Sequence, residues 1–500
     1  MARRSPRVST VRTPGRLLPL ALAAVTVVAF APAASAASHV RFTPGAEGVG
    51  DPYFPLEGNG GYHALHYSLD VAYDTTYGQL DGTVTMTARA TQNLSSFDLD
   101  LSGMDVSKVV VNGHRASWNR RGQELKIKPN HGLRKGSTFR VSVTYGGVPQ
   151  TIVGSPIVFG SPYGFLKTPD GAFIGDEPNG ASTWFPVNDH PSDKATYDFT
   201  VTVPKGLSVV ANGLPEGRHD GMAAFSRRKG STQASTFKWR ENKPMASYLA
   251  TIDIGKWDVK ESKTPSGLNS YVAVDPVLET NQPDAVKFFS DTTAEATDLW
   301  SKMWGTYPFE TTGAIADNAV YQGQPLGFSL ETQSKPVYSA VRSTSTIAHE
   351  LAHQWFGDSV SVAQWKDIWL NESFASWSAY YWTEKHGGVS VHDRVRNIYN
   401  SYPFPDKPDD PYWSVKIADP QRDTMFNDRV YSGGATVLQL LREKIGDDTF
   451  FSLLRTWADT HRYGNGNTAQ FVALANKVSG QDLNPFFQTW IYSTGKPALP

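Results

Sequence analysis

The sequence predicts an α+β chain of two domains: an antiparallel β-sandwich-like domain over residues 37–258, then a mainly helical domain over 259–500. Three observations predict it. From about Tyr62 to Asp258, polar residues alternate with β-branched or aromatic ones, and Gly, Asn or Pro interrupts roughly every dozen residues, the habit of half-buried strands. Past about Lys260 the apolar residues recur at three- and four-residue intervals, which is helical spacing. The 500-residue chain is 40% hydrophobic and carries 25 Phe, 21 Tyr and 14 Trp. That is enough apolar material for large cores and excludes a disordered chain.

Residues 1–36 read as a targeting segment that precedes the folded chain. Arg3, Arg4, Arg7, Arg12 and Arg16 form a basic stretch with no acid, Leu17–Ala31 is an apolar run, and Ala34-Ser35-Ala36 offers a small-x-small cleavage pattern. The expectation is a signal peptide cleaved near Ala36–Ala37 and a secreted, extracellular product; Arg3-Arg4 leaves twin-arginine export open. The apolar run falls short of the ~20 residues a spanning helix requires, so no membrane anchor is expected. Without the leader, 42 of the 47 basic residues face 48 acids. A mildly acidic chain with no basic run is a poor match for nucleic acid or an anionic membrane. Cysteine is absent, so any metal must be held by His, Asp or Glu.

The strand-like stretches include His66–Val71, Thr83–Thr87, Phe139–Val143 and Tyr197–Val201. Alone, that region reads as a scaffold without visible chemistry. One further strand, Tyr271–Val274, precedes the helices, and Pro283 is placed to open the first of them at its N1 position. Val286, Phe289, Trp300 and Met303 then follow helical spacing and read as core. Further helices are expected over Thr344–Phe356, Leu370–His386, Ala435–Lys444, Thr449–Asp459 and Thr468–Val478, with a Pro/Asp-rich loop at 403–411.

The chemistry concentrates in His349-Glu350-Leu351-Ala352-His353. Ser and Thr at 343–346 offer N-caps and Gly357 a stop, so the motif sits on a helix. Residues four apart share a face, so both imidazoles can bind one zinc while Glu350, about 100° round the helix, reaches its water. A chance match in a chain with 12 His is on the order of one in a hundred. A third ligand is still required. Glu372 is the candidate, with eighteen residues between it and His353.

These segments, HELAHQWFGD at 349–358 and WLNESFA at 369–375, resemble the zinc-binding segments of the aminopeptidase N-like gluzincins, peptidase family M1. The resemblance extends to Trp184-Phe185-Pro186 with Asp189, Pro191 and Lys194-Ala195, to Gly305–Phe309, and to Tyr431–Ala435. It implies a thermolysin-like zinc peptidase domain following the β domain, and an enzyme that hydrolyses peptides from a free N-terminus with one zinc per chain. His349, His353 and Glu372 are the implied ligands, Glu350 the general base and Tyr431 the oxyanion stabiliser. Glu331 and Glu177 are the implied anchors of the substrate's amine.

Several positions depart from the family pattern. Phe328 stands where the family prefers Gly, and Thr332 where Asn is frequent. Ala379 replaces an acid that often follows the ligand Glu by seven residues, leaving Asp367 as the nearest family-like acid. The chain ends at Pro500, where many members continue into a helical C-terminal domain, so a short form with a more open cleft is expected. Two other readings stay open on the residues alone. One is a thermolysin-like endopeptidase, whose ligand spacing is one residue longer; the other is a binding protein with a structural zinc. The preferred first residue and the oligomeric state are not readable from the sequence.

Overall fold

The alternation beginning at Tyr62 becomes strand Tyr62–Asp74, whose buried side chains change phase at Leu65. Tyr62 and Ala64 point inward, Leu65 is the extra residue of a bulge opposite Ala88 and Thr87, and Tyr67, Leu69, Val71 and Tyr73 then take over the inward face. The computed structural model describes residues 40–405 and 411–500. The expected leader and its cleavage site lie outside the described residues, as do residues 406–410 of the Pro/Asp-rich loop.

Strand Tyr62–Asp74 sits within an eight-stranded sheet of order 214–224, 231–245, 195–204, 62–74, 79–90, 138–147, 105–111, 114–115. All its neighbours are antiparallel except one seam, where Ala195–Pro204 runs parallel to Tyr62–Asp74. A four-stranded sheet (43–44, 94–100, 124–128, 117–121) and a five-stranded antiparallel sheet (151–152, 163–167, 172–175, 252–255, 208–211) complete the β-rich part.

Nine α-helices are found among the described residues: α1 Pro276–Asn281, α2 Ala285–Trp304, α3 Thr344–Ala352, α4 Trp369–Lys385, α5 Val391–Ser401, α6 Gly434–Ile445, α7 Asp447–Thr460, α8 Thr468–Ser479 and α9 Asn484–Trp490. The expected helix starts agree within a few residues, with one correction. Pro276, not Pro283, holds the N1 position of the first helix, behind an Asp275 cap that accepts from Val277 N. Pro283 lies between α1 and α2. The open N-terminus of α2 is served by Glu279, whose carboxylate accepts from Ala285 N and Val286 N.

The helical half also contains a five-stranded sheet that periodicity did not reveal, of order 258–263, 269–274, 311–316, 337–338, 329–330. Its central strand Thr311–Ala316 is buried at every position and so has no alternation to read. Strands Ser329–Leu330 and Val337–Tyr338 hold two residues each, too few for any period. Among the described residues no helix is long and apolar enough to cross a membrane. Among the described residues one hydrophobic core runs through the β-rich and helical parts.

Candidate active site

Helix α3 is fixed in place before it carries any chemistry. Ser343 Oγ accepts from Thr346 N at 3.1 Å and caps it. The Trp300 indole of α2 donates to Ala348 O at 3.1 Å, and the Trp382 indole of α4 to Thr344 Oγ1 at 3.2 Å. Buried tryptophans with satisfied N–H groups combine large apolar contact with one directional bond. The helix therefore has little freedom to turn.

On this helix His349 Nε2 and His353 Nε2 lie 3.1 Å apart, and Glu372 Oε2, from the first turn of α4, lies 3.4 and 3.5 Å from them. Ligand atoms about 2.0–2.2 Å from a tetrahedral zinc sit roughly 3.3–3.6 Å from one another, so this triangle fits one face of such a site. His353 Nδ1 lies 3.0 Å from Phe356 O, a contact that places the proton there and turns the Nε2 lone pair inward. Asp367 does not serve this purpose. Its carboxylate accepts from Thr468 N and Thr468 Oγ1 at the start of α8. Asn371, part of a formal glycosylation sequon, is fully buried.

The charge around the triangle also favours a dication. Burial opposes ionisation of Glu372, yet the two imidazoles hold its carboxyl down at about 2. For Glu350 burial is the dominant influence, reinforced by Glu331 and Glu372, and its carboxyl is pushed well above the usual range. Burial likewise raises Glu177, with repulsion from Glu331 and Glu372 adding to it, and Glu331, where repulsion from Glu372 adds and His353 opposes. Four crowded acids around two imidazoles are an environment that a divalent cation or a substrate ammonium stabilises.

Glu350 groups with both imidazoles, their ligand atoms all within 4.8 Å of one another; Glu331 groups likewise with His353 and Glu372. The Glu331 side chain is held by Tyr248, whose hydroxyl donates to Oε1 at 3.5 Å, and its backbone carbonyl by the Gln354 amide at 3.1 Å. Glu177 comes from the β-rich part, and its buried Oε1 has no hydrogen-bond partner among the described residues. An orphaned acceptor in such a place suits a donor that arrives with a ligand.

Tyr431 lies on a π-helical turn, Arg429–Gly433, that leads into α6. Such turns are rare and often mark functional sites. Its ring lies nearly parallel to that of His349, with centroids 6.4 Å apart. The turn is bound to the ligand helix by Ser373 of α4, whose hydroxyl donates to Val430 O at 2.6 Å. Gly434 makes this approach possible, since a Cβ there would fall 1.7 Å from Ser373 Oγ.

All seven sequence-predicted residues thus converge on one centre. Sequence reasoning missed their supports. Gln354 had a local signal, adjacent to His353, but Tyr248 was one tyrosine among 21. Lys194 was quoted only as part of a motif. Its half-buried ammonium donates to Asp358 O and Ser359 O, in the turn that follows His353, and to Gly464 O, tying the β-rich part to both.

Known proteins resemble this chain over most of the described residues. The peptidase family M1 domain matches residues 307–490, and the peptidase M1 N-terminal domain matches residues 63–249. Aminopeptidase M1 of Arabidopsis thaliana is 26% identical over 65% of this chain and 37% of its own length. Leucyl aminopeptidase of Saccharolobus solfataricus is 23% identical over 80% of this chain and 50% of its own. The chain therefore spans at most half the length of these relatives. An M1 zinc metallopeptidase from Deinococcus radiodurans superposes with a TM-score of 0.77 at 26% identity, covering 91% of this chain and 98% of that one. A mutant of the same enzyme has been solved with a Tyr-Ser-Ala substrate.

Proposed function

We propose that the chain, which belongs to peptidase family M1, is a secreted zinc-dependent aminopeptidase that removes the N-terminal residue from peptides. One observation carries the reading. A triangle of two imidazoles and a carboxylate has Glu350 at its side and two further acids, Glu331 and Glu177, within the same buried group. A structural zinc site has no use for those three additional acids.

His349, His353 and Glu372 would hold the zinc, which when bound supplies Lewis acidity toward the scissile carbonyl and acidifies water. The remaining steps belong to the chain's own side chains. The Glu350 carboxylate takes a proton from the attacking water and passes it to the departing nitrogen. The Tyr431 hydroxyl donates to the carbonyl oxygen as negative charge gathers there. Glu177 and Glu331 accept the charge-assisted bonds of the substrate ammonium and so set the cut one residue from the end. Secretion rests on residues 1–36, whose basic, apolar and small-residue segments follow the order of an export signal.

The test is an assay of culture medium from a bacterium expressing the full chain, using aminoacyl fluorogenic peptides. Activity should appear in the medium, vanish with a zinc chelator and return with zinc. N-acetylation of the substrate should reduce the rate about 100-fold, because two buried carboxylates lose their cationic partner. Equal rates on free and acetylated peptides would favour an endopeptidase. Activity confined to the cells would contradict secretion.

A further inference from the structure

We infer that the cavity between Glu177 and Tyr431 is a subsite for a large apolar, above all aromatic, first side chain, and that Phe328 sets this preference; the inference rests on the aminopeptidase reading. The cavity measures about 380 Å³ and is lined by Glu177, Tyr431, Phe328, Tyr163, Phe426 and Phe159 among others. An ammonium held at Glu177 and a carbonyl reaching Tyr431 belong to the same residue, the first. Its side chain is the one that leaves the backbone between those two points.

Five of those walls are aromatic. Phe328 meets Phe173 edge to face, with centroids 5.7 Å apart, and lies directly on the backbone of Gly175. A Cβ at Gly175 would come within 2.6 Å of the Phe328 ring, so the missing side chain at 175 makes room for the ring at 328. The backbone that carries the Phe328 ring is held in place. Its carbonyl accepts from Ser339 Oγ at 2.7 Å, Arg342 Nη2 at 3.0 Å and Ser339 N at 3.2 Å.

Phe159 stands at the cavity with 74% of its surface in water and a left-handed backbone, φ 54°. Few bulky residues adopt that conformation. Here the tight turn imposes it, with Phe159 N donating to Pro156 O at 3.2 Å. An exposed ring held in this way gains apolar contact only when something fills the cavity. The charged lining is acidic, Glu177 and Asp428, and the Asp428 carboxylate already accepts from the Tyr402 hydroxyl. Among the described residues no lysine or arginine lines the cavity, so an acidic first residue meets repulsion from Glu177 and Asp428.

The test compares kcat/KM for Phe, Tyr, Trp, Leu, Ala, Arg and Glu aminoacyl substrates on the zinc-replete full chain. Phe should exceed Ala by on the order of 30-fold, as expected when an aromatic ring replaces a methyl group in an apolar site, and Glu should be the poorest. Phe328→Ala should lower the Phe-to-Ala ratio about 10-fold, and Phe328→Leu should lower it less. Gly175→Ala, which displaces the ring without altering it, should lower the same ratio. A wild-type ratio near one, a preference for Arg, or a ratio unchanged in all three variants would overturn the subsite while leaving the aminopeptidase reading intact. No turnover of any free-amine substrate would overturn both.

Discussion

Glu350→Gln protein is expected to bind zinc with wild-type stoichiometry and to lose about 10²–10⁴ in kcat, the range associated with a positioned general base. Glutamine preserves the volume and hydrogen-bonding reach of the side chain but accepts no proton. Glu350 is buried beside both imidazoles without being one of the three atoms of the ligand triangle. Its loss should therefore spare the metal and remove the chemistry. Steady-state kinetics paired with elemental analysis separates the two effects. A kcat within threefold of wild type would remove Glu350 from the mechanism.

The second large effect is expected at Tyr431. Tyr431→Phe deletes one oxygen and keeps the ring that lies parallel to His349 at 6.4 Å. A donor aimed at developing charge is worth more in the transition state than in the bound substrate. The loss should thus fall on kcat, by about 10²–10³, with KM changed only a few-fold. A variant with raised KM and unaltered kcat would assign Tyr431 to ground-state binding instead.

How much of this was readable in the chain depended on how local each feature was. The two histidines and Glu350 were legible because a helix converts a four-residue interval into a shared face, and α3 is such a helix. Glu372 needed only a second helix and a fixed distance along the chain. Glu331 and Glu177 look like surface acids in sequence, and only the resemblance singled them out. Glu331 follows a two-residue strand, and Glu177 arrives from the β-rich part, so their meeting is purely tertiary. The π-helical turn under Tyr431 leaves no mark in hydrophobic periodicity.

The strands divide in the same way. Tyr62–Asp74 was legible through its alternation, apart from the bulge at Leu65 that resets the phase. Thr311–Ala316 was missed because both its faces are buried and Thr-Thr-Gly-Ala-Ile-Ala carries no alternation of polar and apolar residues. The aromatic cavity was unreadable for a further reason. Phe159, Tyr163, Phe328 and Phe426 are scattered over 268 residues, and nothing in the chain marks that they share a wall.

X-ray absorption at the zinc edge on the purified wild-type chain addresses the whole construction most directly. The predicted result is one zinc per chain with light-atom neighbours only, two of them imidazoles, and one coordination position that exchanges with added small ligands. A chain that retains no stoichiometric zinc, or one whose zinc is enclosed by four protein side chains, would contradict it.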